Sequence, residues 1–380
     1  MSETLLRELG FPCFRPRPPW WGADLQTLRD TLRGCRLDDG EARDLHLPVG
    51  DGSRLLGRLD QPLSGRPRAL VLLSHGLGGS SESEGVRRLA MALRLEGFAV
   101  LRLNLRGAGR GRTLAPGSYA ADCSRDLLPV LRQARDLAAQ LGEGGPPLPL
   151  AGAGLSLGGT ILLNAQAAAW RRGEAGLDAL ACISSPLDLL ACSRQFARPR
   201  NRLYERWLVE RLCRQVFADP HGLSAAEREA LQGSGRPRSI LAFDRLITAP
   251  RWGYDSVERY YAAASPLHWL RPGLVLPPTL LLHAADDPWV PATPAQALAG
   301  RQPESRPWGL EICLSAAGGH NGFHGRGDGA LGCWSDRLTA RWLQRRLSEP
   351  PMPGGQQATS SAAGTAQTGL SSSSTIGRHQ

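Results

Sequence analysis

From residue 69 onward, short apolar runs alternate with longer amphipathic stretches. The run "ALVLLS" (69–74) has strand length, and the stretch near 82–96 after it has helical spacing. The pattern then recurs. "FAVLRLN" (98–104) precedes a helix near 120–141, and "PLPLAGA" precedes the helix-forming "LGGTILLNAQAAAWRR". "ALACISS" (179–185) follows, then "PTLLLHA" (278–284) with a short helix near 293–300, and "GLEICLS" (309–315) with a last helix near 334–347. Apolar strands alternating with helices predict an α/β fold with a mostly parallel, doubly wound sheet. Upstream, "DLHLPV" and "RLLGRLD", joined by the turn "GDGS", predict an antiparallel hairpin at one edge.

The alternation breaks between about 187 and 265. "NRLYERWLVERLCRQVF" places Leu203, Trp207, Leu208, Leu212 and Val216 on one predicted helical face, and Ser224 with Glu227 forms a capping-box pattern. This segment reads as a helical insertion. It would sit at the carboxyl ends of the strands, where open α/β sheets bind ligands. Residues 1–350 then form one domain carrying a cap. Residues 351–380, rich in Gly, Ser, Thr and Gln, read as a disordered tail.

Composition narrows the classes. The 380 residues carry a net charge of +10, and every basic residue other than histidine is arginine. No compact basic tract or nucleic-acid motif accompanies that charge, so nucleic acid is not an expected partner. The eight cysteines form no CxxC pair, and several lie in apolar runs. They read as buried thiols of a reducing compartment, with no metal site. The N-terminus lacks a signal-peptide core and no run is long enough to span a bilayer, so the expected location is cytoplasmic, with no transmembrane anchor.

Candidate chemistry centres on "GAGLSLGGT". With 45 glycines in the chain, a Gly-x-Ser-x-Gly match alone decides little. Its context decides more. An apolar strand runs into Ser156 and a helix runs out, as a nucleophile elbow requires. A serine hydroxyl also needs a base, and a group to orient that base. In such folds these follow in the order Ser, acid, His, on loops after later strands. "HAADDPWVP" offers Asp286 and Asp287, and "AAGGHNGFHG" offers His320, with His324 as a rival. The oxyanion hole would use the amide of Leu157 and that of Leu77, in the loop "SHGLGGSS". His75 in that loop reads as structural.

Together these segments resemble the α/β-hydrolase superfamily, in the YheT-like branch (AB hydrolase family four). The resemblance runs from about residue 10 to 345 and includes "PWWGADLQT", "LNLRGAGRG" and "FDRLITAPRWGYDSVERYYAAASPL". It implies a serine-dependent carboxylesterase or lipase with Ser156, Asp287 and His320 at the charge-relay positions, needing no cofactor. Small-molecule or lipid esters are the expected substrates. The same three residues also suit amidases, thioesterases and acyltransferases, and a non-catalytic binding protein is the reading from another class. Arg194, Arg198, Arg200, Arg202 and Arg206, set against a single Glu205, suggest peripheral contact with anionic membrane.

Overall fold

The computed structural model describes residues 2–34, 42–232, 235–270, 275–300, 308–329 and 332–348. The expected tail, 351–380, lies outside them. Eight strands form one sheet: β1 (Arg43–Pro48), β2 (Arg54–Asp60), β3 (Leu70–Ser74), β4 (Ala99–Asn104), β5 (Leu150–Leu155), β6 (Ala179–Ile183), β7 (Val275–Ala284) and β8 (Trp308–Ser315). Their spatial order is β1-β2-β4-β3-β5-β6-β7-β8. β1 and β2 pair antiparallel with each other, and β2 pairs antiparallel with β4. The remaining pairs are parallel. The antiparallel edge and parallel centre match the expectation from the apolar pattern.

The central strands are predominantly apolar because both of their faces are covered. Every residue of β3, β4, β5 and β6 is buried. Leu127, Val130 and Leu131 of helix Ser124–Leu141 and Ile161 and Leu162 of helix Leu157–Arg171 fill the core on one face. Leu89 and Leu93 of helix Glu84–Leu95 and Leu338 and Trp342 of helix Trp334–Ser348 fill it on the other. β4 also carries the fully buried Arg102, which is held bidentately by Asp60 of β2 at 2.7 and 3.0 Å. A buried guanidinium of this kind requires such a partner.

Between β6 and β7 the described residues form helices and no strand, among the helices Leu189–Phe196, Arg202–Phe217, Ala225–Gln232 and Val257–Ala264. Ser224 caps Ala225–Gln232 and its own N–H donates to Glu227, as the capping-box pattern anticipates. The apolar face of Arg202–Phe217 differs from the expected one. Leu208, Val209, Leu212, Cys213 and Val216 are buried in a core of the insertion, whereas Leu203 is 81% and Trp207 42% exposed. At about 100° per residue, Leu203 and Trp207 fall on the side of the wheel opposite Leu212. Glu205 also turns inward, where its carboxylate accepts the Ile240 N–H at 3.0 Å.

Among the described cysteines six are buried, as expected, but Cys13 is exposed. No helix of the described residues is long and apolar enough to cross a membrane.

Candidate active site

β5 ends at Leu155, and Ser156 makes the turn into helix Leu157–Arg171 with φ 52° and ψ −126°. Left-handed φ is unusual for a residue with a Cβ, and it costs on the order of 1–3 kcal/mol. The surroundings hold it there. The Ser156 N–H continues the sheet by donating to the Ile183 carbonyl at 2.8 Å. A Cβ on Gly154 would collide with the backbone of Gly159, and one on Gly158 would lie 2.5 Å from the Ser74 carbonyl oxygen. Glycine at these two positions lets the helix start directly over β5 and against the end of β3.

The loops after β7 and β8 meet at this turn. His320 Nε2 lies 2.9 Å from Ser156 Oγ, and His320 Nδ1 lies 2.9 Å from Asp287 Oδ2. The other Asp287 oxygen accepts the N–H groups of Trp289 and Val290 at 2.8 and 2.9 Å, which fixes the carboxylate plane. Trp289 packs against the imidazole, with ring centroids 4.7 Å apart. Asp287 and His320 are both buried.

The loop after β3 closes the opposite wall. A Cβ on Gly76 would sit 3.0 Å from Ser156 Cβ, so this backbone runs directly past the serine. His75 is buried, accepts the Leu105 N–H at Nε2 (3.2 Å) and places Nδ1 2.8 Å from the Gly76 carbonyl. Only the neutral Nδ1–H tautomer satisfies both contacts. Burial lowers its pKa to about 4, against the opposing Gly76 bond. His75 is therefore a structural residue that stays uncharged at neutral pH. Leu77 and Leu157 line the same cavity as Ser156. Leu157 opens its helix, so its N–H has no intrahelical partner, and among the described residues the Leu77 N–H makes no hydrogen bond.

A family model described as serine aminopeptidase, S33, matches residues 65–307. YheT of Escherichia coli (strain K12) is 30% identical over 287 residues, which is 74% of this chain and 78% of that protein. The chain belongs to the α/β-hydrolase superfamily as a YheT-like member. Phospholipase ABHD3 of Mus musculus is 29% identical over 260 residues, 67% of this chain, and the match spans only 58% of that protein's length. In fold, an esterase of Pyrobaculum calidifontis superposes with a TM-score of 0.51 at 17% identity, covering 91% of each chain. The family is esterase- and lipase-like.

Several contacts of this hydrolase's site escaped the sequence reading, including the roles of Asp286 and His324, which it had named only as alternatives. Helix Ala23–Leu32 lies beneath the histidine loop, where Thr27 Oγ1 accepts the His320 N–H at 2.9 Å. Asp286 accepts the Gly319 N–H at 2.9 Å and so anchors the loop. His324 faces away from Ser156: its Nε2 is 3.4 Å from Asp30, and its N–H donates to Gln26. Tyr119 takes the Gly78 N–H at 2.7 Å and donates to the Gly76 carbonyl at 3.3 Å. From the insertion, Arg211 and Gln215 both donate to the Gly78 carbonyl, at 2.9 and 3.1 Å. Residue type alone flags none of these contacts, although "PWWGADLQT" already belonged to the family resemblance.

The glycine contacts generate a test. Gly158→Ala must push helix Leu157–Arg171 away from the end of β3. Misplacement of a reacting group by about 1 Å costs on the order of 10²-fold in rate. Hydrolytic turnover by this variant, measured at saturating substrate, should fall by about that factor while far-ultraviolet circular dichroism stays native.

Proposed function

We propose that the protein is a serine hydrolase of carboxylic esters that works through an acyl-enzyme. The observation carrying this reading is the unbroken chain from Ser156 Oγ through His320 to Asp287, 2.9 Å at each link. Ser156 attacks the acyl carbonyl. His320 Nε2 takes the hydroxyl proton and later gives it to the leaving alcohol. Asp287, already oriented by two backbone N–H groups, keeps the proton on Nδ1 and stabilises the imidazolium. The amides of Leu77 and Leu157 receive the developing oxyanion, each contributing about 3 kcal/mol to barrier lowering. Water then repeats the cycle and releases the acid. The cavity over Ser156, about 280 Å³, is walled by Phe196, Leu208, Leu212 and Phe243, which suits an acyl chain.

Ser156→Ala should abolish both hydrolysis of p-nitrophenyl esters and labelling by a fluorophosphonate probe. Retained labelling would remove Ser156 from the role. Asp287→Asn should lose about 10⁴-fold in kcat, the loss expected when the imidazole tautomer is no longer held. Asp286→Asn should lose much less, because its carboxylate holds only the loop backbone.

We further propose that the enzyme meets lipid substrates at an anionic surface. Leu203 (81% exposed) and Trp207 (42%) share the outer side of their helix, and the Arg200–Asp24 ion pair at 3.0 Å brings the N-terminal segment with Trp21 and Leu25 alongside. Arg194, Arg198, Arg202 and Arg206 are exposed around them. Each arginine near an anionic surface adds on the order of 1 kcal/mol, and salt screens it. The fraction co-sedimenting with liposomes should rise with anionic lipid content and fall with ionic strength. It should drop several-fold in Leu203→Ser/Trp207→Ser. Binding indifferent to both lipid charge and salt would overturn the surface.

A further inference from the structure

The cavity wall contains two carboxylates that the reaction does not use, Asp30 and Asp244, and only the first is paired with a cation. Asp244 opens a π-helical turn, Asp244–Thr248, in the stretch "FDRLITAPRWGYDS". It lines the same cavity as Ser156 and is half-buried. Tyr261 donates its hydroxyl to Asp244 Oδ2 at 2.9 Å. Burial pushes this carboxyl up to about 6, with hydrogen bonds from Thr248 and Tyr261 acting the other way. Among the described residues no cation pairs with it. The adjacent Arg245 pairs with Glu258 at 3.2 Å, and Arg251, also on the cavity wall, pairs with Glu227 at 2.5 Å. Asp30, the other acid lining the cavity, contrasts with it, being held by Arg88 at 2.6 Å.

An ionisable group shielded from bulk water without a counter-charge is unfavourable in the empty protein. Such groups concentrate where a ligand supplies the missing partner. The neighbouring wall is aromatic: Tyr260 and Tyr261 both line the cavity, with ring centroids 5.5 Å apart. A carboxylate beside aromatic rings fits a positively charged group of low hydration, because the ring quadrupoles and the anion attract it together.

We propose that Asp244, with Tyr260 and Tyr261, forms a subsite for an alkylammonium group carried by the ester substrate. The inference builds on the reading of Ser156 as the nucleophile, since it assigns the substrate's charged end to another part of the cavity that Ser156 lines. The ammonium belongs either to the alcohol or to the acyl part, and matched ester pairs separate the two. Butyrylcholine places it on the alcohol, with 3,3-dimethylbutyl butyrate as its uncharged isostere. Methyl 4-(trimethylammonio)butyrate places it on the acyl chain, with methyl 5,5-dimethylhexanoate as its isostere.

Calorimetric titration of the full chain carrying Ser156→Ala reads binding without turnover. At least one charged ester should bind about tenfold more tightly than its isostere. Adding Asp244→Asn should bring that ratio to about one, with binding of the uncharged isostere reporting that the variant is folded. A ratio of one for both pairs in the Ser156→Ala chain overturns the subsite, as does a preference that survives Asp244→Asn. Hydrolysis of 3,3-dimethylbutyl butyrate by the chain with Ser156 intact is measured alongside. Its absence counts against the nucleophile alone, since the binding ratios judge Asp244 independently.

Discussion

The backbone at Ser156 is the constraint on which the site depends. A side-chain-bearing residue is held at φ 52° because β5 must end and a helix begin within one residue, directly above a closely packed sheet. Positive φ recurs nearby at Ser184 (49°), Asn321 (56°) and Phe323 (47°). Ser184 Oγ accepts the Asn321 N–H, so two of the strained residues brace each other across the gap from the end of β6 to the histidine loop. Strain of this kind persists only when the packing around it over-determines the conformation. Here the buried strands on both sides of β5 supply that packing.

The loop after β3 links the sheet to the helical insertion. Its Gly78 N–H is bound by Tyr119, and its Gly78 carbonyl by Arg211 and Gln215 of helix Arg202–Phe217. The inner face of this helix supplies Leu208 and Leu212 to the cavity, while its outer face exposes Leu203 and Trp207. One rigid element therefore touches the cavity, the loop beside the serine, and solvent.

The fold was legible because its central strands are short, apolar and separated by turn residues, although β7 begins three residues earlier than its apolar run and β1 is mostly exposed. Ser156 and His320 were legible as candidates from their order along the chain and from the strands preceding them, whereas the preference for Asp287 over Asp286 rested on the family resemblance. The N-terminal helices Ser2–Glu8 and Ala23–Leu32 were not. The second docks through polar side chains, with Thr27 and Gln26 accepting the His320 and His324 N–H groups, and such contacts leave no apolar period. The face of helix Arg202–Phe217 was misread because leucine and tryptophan at a spacing of four suggest a buried stripe. The buried stripe starts one residue later, at Leu208, and the two exposed side chains mark a different surface.

Asp286 and Asp287 were equivalent as residue types, and the structure separates them by their hydrogen-bond partners. Asp287 Oδ1 takes two backbone N–H groups, which leaves Oδ2 aimed at the imidazole. Asp286 takes the Gly319 N–H, one residue before His320. Burial, together with the neighbouring Asp287 charge, raises the Asp286 carboxyl above the usual carboxylate range, while the Gly319 N–H opposes that rise. Two adjacent carboxylates thus reach the same histidine by different routes. One contacts its ring, and the other sets the backbone from which the ring projects. The division follows from a tight turn in which consecutive side chains leave the strand end in different directions, so the Asp-Asp pair positions His320 at both ends.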